Sequence, residues 1–461
     1  MLLKLKGTVR EENNWCILHG DNGYIASCNA GGNRIFKELS NKDLTFEDIC
    51  HICGADDCAE DQDAVSKWVN QMVSDNILNI CEKEVNFERG KYLPRPSNNQ
   101  SALEQMGGLS SPLLAIIDIT NKCNQAYSFC YVDPRYICQM DKEVNREQLF
   151  VICDRLAEQR VMMLNFLGGE PTARFDDMLA AIDYMHTINP MCHCSFATNG
   201  TYNGGINVTQ AKELGKREQL SVRISIHGYR EDHDCIVGLP GAYDIAIQSL
   251  KNLLEYAPNV HPSINITMNR KLLYTYEELI DELFSLGVDL IEFAPIQYSG
   301  CALLNGGKDN LSPEEDILIM EKMNTLHDTW IKKGKVVLYG GRYNPKFPAF
   351  SLNGRNITCG TGHTIIIDTK GDCYFCHLTV GIQEYCGGNI FTKSLDTIWN
   401  SEIHRTLLEI AQTDVPCCEN CEKISSCKGG CRISSQLMHG DYLAGDPSCP
   451  HIRLRRNMYE N

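Results

Sequence analysis

Cysteine spacing near the C-terminus constrains this chain more than any other feature. Cys418, Cys421, Cys427 and Cys431 follow the pattern C-x2-C-x5-C-x3-C, and Cys449 follows after seventeen intervening residues. Upstream, Cys359, Gly371 and Cys376 form C-x11-G-x4-C. Thiolates are soft ligands, and groups this close hold tetrahedral zinc or iron–sulfur clusters. Spacing alone leaves both metals open. Residues 351–461 are rich in Cys and Gly and poor in long periodic runs, as expected of a small domain organised by metal.

The chain has 24 cysteines in 461 residues. No N-terminal segment has the apolar length of a signal peptide, and no run reaches the 18 or more apolar residues of a membrane span. A cytoplasmic, reducing setting is expected, where regularly spaced cysteines serve metals rather than disulfides. A net charge of −16 disfavours nucleic acid as a partner. Neither nucleic acid nor a membrane is expected.

Four regions are expected. Residues 1–88 run from strand-like pieces (Trp15-Cys-Ile-Leu, Gly23-Tyr-Ile-Ala) into helices, with Val65, Trp68, Val69 and Met72 on one amphipathic face. Residues 89–112 hold Pro94, Pro96, Ser97, Asn98, Asn99, Gly107 and Gly108 and read as a linker. Residues 113–310 alternate strands (113–119, 162–167, 194–197, 222–226, 264–268, 290–294) with helices (149–156, 178–185, 245–254, 277–286). That rhythm predicts α/β architecture, a parallel sheet or partial barrel with its ligand at the strands' C-terminal ends. Residues 311–350 connect this unit to the cysteine-rich region, 351–461.

Several strand ends carry candidate ligand groups. Gly168-Gly169-Glu170-Pro171 ends the second strand, Ala197-Thr198-Asn199-Gly200 the third and Ser225-Ile226-His227-Gly228 the fourth. Glycines admit close approach, and Glu170 can receive an ammonium group. In this order the segments resemble the radical S-adenosylmethionine (SAM) enzymes. The resemblance implies a partial (β/α)6 TIM-like barrel with Gly168, Gly169, Glu170, Asn199 and Ser225 around SAM. For His227, His233 and Asp234, loop hydrogen bonding and ligand contact both stay open. The C-terminal array resembles the SPASM domain of the same enzymes. That resemblance implies two auxiliary [4Fe-4S] clusters, one on Cys359, Cys376 and Cys431, the other on Cys418, Cys421, Cys427 and Cys449. The first lacks a matched fourth ligand, for which Cys373 is a candidate; otherwise one iron is open to a substrate thiolate.

One motif departs from the family. Radical SAM enzymes hold a further [4Fe-4S] cluster on C-x3-C-x2-C after the first strand. Here Cys123 and Cys130 have the outer spacing, but the middle position is Tyr127. Cys138, ligation by the Tyr127 phenol, and an altered position in an otherwise ordinary member are the three explanations. The remaining cysteines, among them Cys50, Cys53, Cys58, Cys192, Cys194, Cys235, Cys301 and Cys417, read as packed thiols.

Residues 1–88 resemble the RiPP recognition element, a small winged helix that binds the leader of a ribosomally made precursor peptide. Together the resemblances imply a peptide maturase of the sactipeptide and ranthipeptide kind. It would use a 5′-deoxyadenosyl radical to form a cysteine thioether, with a ferredoxin or flavodoxin as electron donor. A sulfatase-maturase-like dehydrogenase and a non-catalytic peptide-binding scaffold are the alternatives.

Overall fold

The computed structural model describes residues 2–13, 15–20, 25–56, 58–81, 90–95, 101–137, 143–340, 344, 351–352, 355–356 and 359–460. Gly23, Tyr24, residues 96–99 and Cys138 lie outside them. The N-terminal region is built from β1 (Leu2–Leu5), β2 (Thr8–Glu11), β3 (Cys16–His19), β4 (Ile25–Cys28), β5 (Leu44–Thr45), β6 (Leu78–Cys81) and β7 (Tyr92–Leu93). β1 pairs with β5 and β6, and a second sheet runs β4-β3-β2-β7 with β4 at its edge. Helices Ala30–Leu39, Phe46–Cys53 and Ala59–Ser74 cover these sheets. Their starts are set locally: Asn29 caps the first, and Thr45 with Asp48 forms a capping box on the second. The expected apolar face is buried at Val65, Val69 and Met72, and Trp68 lies 5.6 Å from the Phe36 ring.

The central region is a parallel sheet of β8 (Leu114–Thr120), β9 (Met163–Gly168), β10 (His193–Thr198), β11 (Leu220–Ser225), β12 (His261–Thr267), β13 (Leu290–Ala294) and β14 (Val336–Tyr339). Each strand pairs in parallel with the next. β-Branched and aromatic residues suit strands buried on both faces, and Ile117, Phe166, Phe196, Ile224, Ile264 and Phe293 are fully buried. Capping boxes at Asn145, Asn207 and Ser312 start three of the flanking helices. The six expected strands are present in order. β14 and the helix Pro313–Trp330 that precedes it add a seventh unit, within the stretch read from sequence as a connection.

The C-terminal region contributes β15 (Ser351–Leu352), β16 (Arg355–Asn356), β17 (Thr364–Ile367), β18 (Asp372–Tyr374) and β19 (Gly388–Asn389). β17 pairs in parallel with β8, and β18 and β19 continue antiparallel, so one ten-stranded sheet spans both regions. One apolar core accordingly runs from Ala115 and Ile117 to Ile366, Phe375 and Trp399.

A buried ion pair ties the N-terminal region to the end of the linker. Arg10 is fully buried and lies 2.8 Å from the Glu12 carboxylate. Arg10 donates to the carbonyls of Pro112 at 2.7 Å and Ser111 at 3.2 Å, while Glu12 accepts the Ser110 N–H at 3.0 Å. Removing one partner leaves the other charge buried and unpaired, which costs about 3–5 kcal/mol. Arg10→Ala should therefore lower stability by about that amount in urea unfolding, and Arg10→Met with Glu12→Leu by clearly less.

Burial holds several imidazoles neutral. His19 is pushed from 6.5 to about 4 by burial and then by His193, and His233 to about 4 by burial. Their folded values lie below the unfolded one, so the unfolded chain binds protons that the folded chain refuses. The stability involved is complete above pH 6.5 and is lost as pH falls toward 4. Urea midpoints measured from pH 7.5 to 4.5 should fall through that window, and His19→Phe should flatten the decline.

Candidate functional site

The site forms where β8 to β12 end. Gly168 has φ +117°, and a Cβ there would lie 2.3 Å from the Thr120 carbonyl oxygen; one on Gly169 would lie 2.4 Å from that of Lys122. Only glycine permits this approach. It lets the Gly169 N–H donate to the Thr120 carbonyl at 2.7 Å and the Glu170 N–H to that of Lys122 at 2.6 Å. The loop after β8, which carries Cys123, Tyr127 and Cys130, is thereby pinned to the end of β9. On another side Asn124 and Gln125 donate to the Thr201 hydroxyl at 3.0 and 3.1 Å. On a third, Cys130 accepts the Cys301 N–H at 2.8 Å, and Ser128 accepts from Asn305 at 3.0 Å.

Glu170 is 1% exposed. One of its oxygens accepts from the Thr172 N–H (3.0 Å), the Thr172 hydroxyl (2.6 Å) and the Thr198 hydroxyl (2.7 Å); among the described residues the other accepts only the Asn199 N–H (2.8 Å). Burial pushes its carboxyl upward against these bonds, which pull it down. A carboxylate oxygen offers about two lone-pair positions, so Oε2 retains one for an incoming donor. Asn199 donates to Asn124 at 2.8 Å and to the Cys123 thiol at 3.8 Å.

These residues share one cavity of about 560 Å³, lined among others by Cys123, Cys130, Gly169, Glu170, Asn199 and Ser225. Its volume is in the range of small-molecule sites. The sequence-predicted SAM residues are thus brought together. His227 and His233 serve the scaffold: His227 Nδ1 accepts the Thr267 N–H at 3.1 Å, and His233 Nδ1 accepts the His227 N–H at 3.0 Å. Asp234 accepts the N–H groups of Gly241 and Tyr243. Sequence reasoning missed His377, which follows Cys376, lies 3.2 Å from Asp118 and packs tilted against Tyr131 with ring centroids 4.6 Å apart. His377 lines both this cavity and an adjoining one of about 140 Å³ that reaches Asp368 and Lys370.

Tyr127 also lines the cavity, its ring 5.1 Å from Phe129 and 5.2 Å from His227. Desolvation, reinforced by the Cys130 and Cys123 thiols, pushes its phenol well above the ordinary range. A phenol oxygen is also a harder ligand than the thiolates that hold iron–sulfur clusters. The motif's own residues therefore fall one ligand short of the family's three-cysteine cluster.

Of the C-terminal array, one of the two expected ligand sets is gathered around a single cavity. Cys418, Cys421, Cys427 and Cys449 line one small cavity; burial first, then the neighbouring Cys417 thiol, and last Cys449 and Cys427 push the Cys418 thiol up to about 12. Asp446, unremarked in the sequence, joins their loops by accepting the N–H groups of Cys431 at 2.7 Å and Ser448 at 2.8 Å. Cys431 caps the helix Arg432–His439, and Cys359 contacts the Thr361 hydroxyl at 3.0 Å. Cys373 is fully buried in β18; its thiol donates to the Gly371 carbonyl at 3.7 Å, and Cys386 is its nearest electrostatic partner.

Family models match here: the radical SAM superfamily over residues 117–283, and the SPASM iron–sulfur cluster-binding domain over residues 359–427. The chain carries a radical SAM domain followed by a SPASM domain. These domains imply [4Fe-4S] clusters and SAM as cofactors. The chain is 28% identical to the mycofactocin maturase MftC of Mycolicibacterium smegmatis over 74% of its own length and 83% of that protein. It is 25% identical to the PqqA peptide cyclase of Bradyrhizobium diazoefficiens over 76% and 89%. In fold it resembles Streptococcus suis SuiB bound to the precursor peptide SuiA (TM-score 0.69, 17% identity, 97% of this chain and 100% of that one). It also resembles anSMEcpe with bound SAM (TM-score 0.61, 18% identity, 76% and 97%). Among the described residues, no helix is long and apolar enough to cross a membrane.

The free lone pair on Glu170 predicts a specific loss. Glu170→Gln should weaken SAM binding about tenfold, the worth of one charge-assisted hydrogen bond, measured by equilibrium dialysis of the anaerobically reconstituted protein.

Proposed function

We propose that this chain is a radical SAM maturase of a ribosomally made peptide, and that its product is a cysteine thioether. One observation carries the reading: a small β/α region, the barrel and the SPASM region follow each other in one chain, an arrangement shared over 97% of its length with SuiB bound to its precursor peptide. The relatives named as mycofactocin maturase and PqqA peptide cyclase support the peptide as substrate.

In this reading the N-terminal region, residues 1–88, binds the leader. β4 is the edge strand of its sheet among the described residues, and an extended peptide gains affinity there by main-chain pairing. Residues 89–112 join it to the barrel, 113–310, whose ligand site is the cavity at the strand ends. Within the connecting residues 311–350, β14 adds a strand to the barrel sheet, and 351–461 hold the two auxiliary clusters on Cys359, Cys376 and Cys431, and on Cys418, Cys421, Cys427 and Cys449. Glu170 holds the SAM ammonium through Oε2, the Gly168-Gly169 backbone lets the ligand approach closely, and Asn199 and Ser225 orient the nucleoside part. SAM supplies a hydrogen-abstracting radical when bound. A ferredoxin or flavodoxin supplies electrons. The adjoining cavity at His377 gives the core peptide a place between barrel and SPASM region. The thioether follows from the first auxiliary set, whose three matched cysteines leave one position for a substrate thiolate.

Tyr127 favours a second reading, a peptide-binding chain that does not cleave SAM. The two are separated by anaerobic incubation with reductant, SAM and any short cysteine-containing peptide found encoded beside this chain's gene. The maturase reading expects 5′-deoxyadenosine and a peptide lighter by two hydrogens, localised to a cysteine. Binding without 5′-deoxyadenosine establishes the second reading instead. Leader affinity, measured by fluorescence anisotropy, should disappear when residues 1–88 are removed.

A further inference from the structure

We infer that Cys301 supplies the third thiolate beside Cys123 and Cys130, in place of the cysteine that Tyr127 replaces. The inference rests on the radical SAM reading of the barrel cavity and goes beyond it by naming a ligand from a different part of the fold. Among the described cysteines, three line that cavity: Cys123, Cys130 and Cys301. The other thiols of the barrel are elsewhere. Cys153, Cys192 and Cys194 are fully buried in the apolar core, and Cys235 is exposed beside Lys271 at 3.0 Å.

Cys301 is held at this spot by backbone geometry. It lies in the short helix Gly300–Leu304, after β13. Gly300 has φ +50°, and a Cβ there would lie 2.4 Å from the Tyr131 carbonyl oxygen, so only glycine allows the helix to press this closely on the cysteine loop. The contact continues through the Cys301 N–H on the Cys130 carbonyl at 2.8 Å, the Ser299 hydroxyl on the Tyr131 carbonyl at 3.3 Å and the Asn305 amide on the Ser128 carbonyl at 3.0 Å. Asp309 adds a bond from the Ser128 hydroxyl. Five groups from residues 299–309, Gly300 included, therefore grip residues 128–131. The Cys301 thiol itself reaches the Val132 carbonyl at 3.9 Å, at the cavity's edge. Cluster ligation depends on where thiolates converge, not on their separation in sequence. Tyr127 then serves as an apolar wall, packed on Phe129 and His227.

The test is iron and acid-labile sulfide in the full chain after anaerobic reconstitution. Cys123→Ala and Cys301→Ala should each lose one cluster's complement, about four iron and four sulfide, while the auxiliary complement stays. Adding Tyr127→Cys to Cys301→Ala should restore what was lost. If Cys123→Ala loses iron and Cys301→Ala does not, the Cys301 assignment is overturned and the barrel reading stands. If neither loses iron, both fall. A Cys301→Ala loss that Tyr127→Cys does not restore also overturns the assignment, because it marks a structural rather than a ligating role.

Discussion

The contact between the loop after β8 and the Gly168-Gly169 pair is the constraint on which the site depends. Both hydrogen bonds there are backbone to backbone, at 2.7 and 2.6 Å, and both require that no side chain intervene. They fix the height of Cys123 relative to Glu170, so that the two face one cavity. Glu170 accepts from Thr172 and Thr198 on one oxygen and from Asn199 on the other, where one lone pair stays open, and these bonds lock the ends of β9 and β10 together. The same carboxylate is thus a strut, and a substitution at Glu170 loosens the strand ends whatever else it does in the cavity.

Burial keeps the imidazoles and the phenol near the cavity neutral. Burial drives His227 to about 3 and His233 to about 4, and raises the Tyr127 phenol. Neutral imidazoles accept backbone N–H groups there. In a low-dielectric site every remaining charge counts for more. Glu170 is the carboxylate placed to select a cationic ligand group at this point.

Much of this was legible in the sequence, because the signals are local. β8 to β13 announce themselves as short runs of β-branched and aromatic residues, and Gly-Gly-Glu, Thr-Asn-Gly and Ser-Ile-His sit where those runs end. The cysteines at 418, 421, 427 and 449 are close enough in sequence that they line one cavity. What escaped depends on distance along the chain. Cys301 meets Cys130 across 171 residues, a juxtaposition that no periodicity encodes. Arg10 and Glu12 look like surface charges until Pro112 and Ser111 arrive to bury them. β14 hides behind a long polar helix, Pro313–Trp330, whose apolar stripe is narrow. β17 reads as part of a separate cysteine-rich unit, although its four residues pair with β8.

That last pairing explains how barrel and SPASM region keep a fixed relation. Ile365, Ile366 and Ile367 are buried and hydrogen-bonded in register to Ala115, Ile116 and Ile117, the strand that leads directly into the Cys123 loop. The chain then turns through β18 to Cys376 and His377, and His377 reaches back to Asp118 on β8. One strand therefore sets both the cysteine loop at its C-terminal end and the first auxiliary residues at its side. A slip of β17 by one residue would reverse which side chains face the core. It would also break the His377–Asp118 contact and move Cys376 relative to the cavity. The four-residue ladder between β8 and β17 is thus the ruler that spaces the two cluster-bearing regions, and a sheet rather than a flexible tether is the physical device suited to holding that spacing.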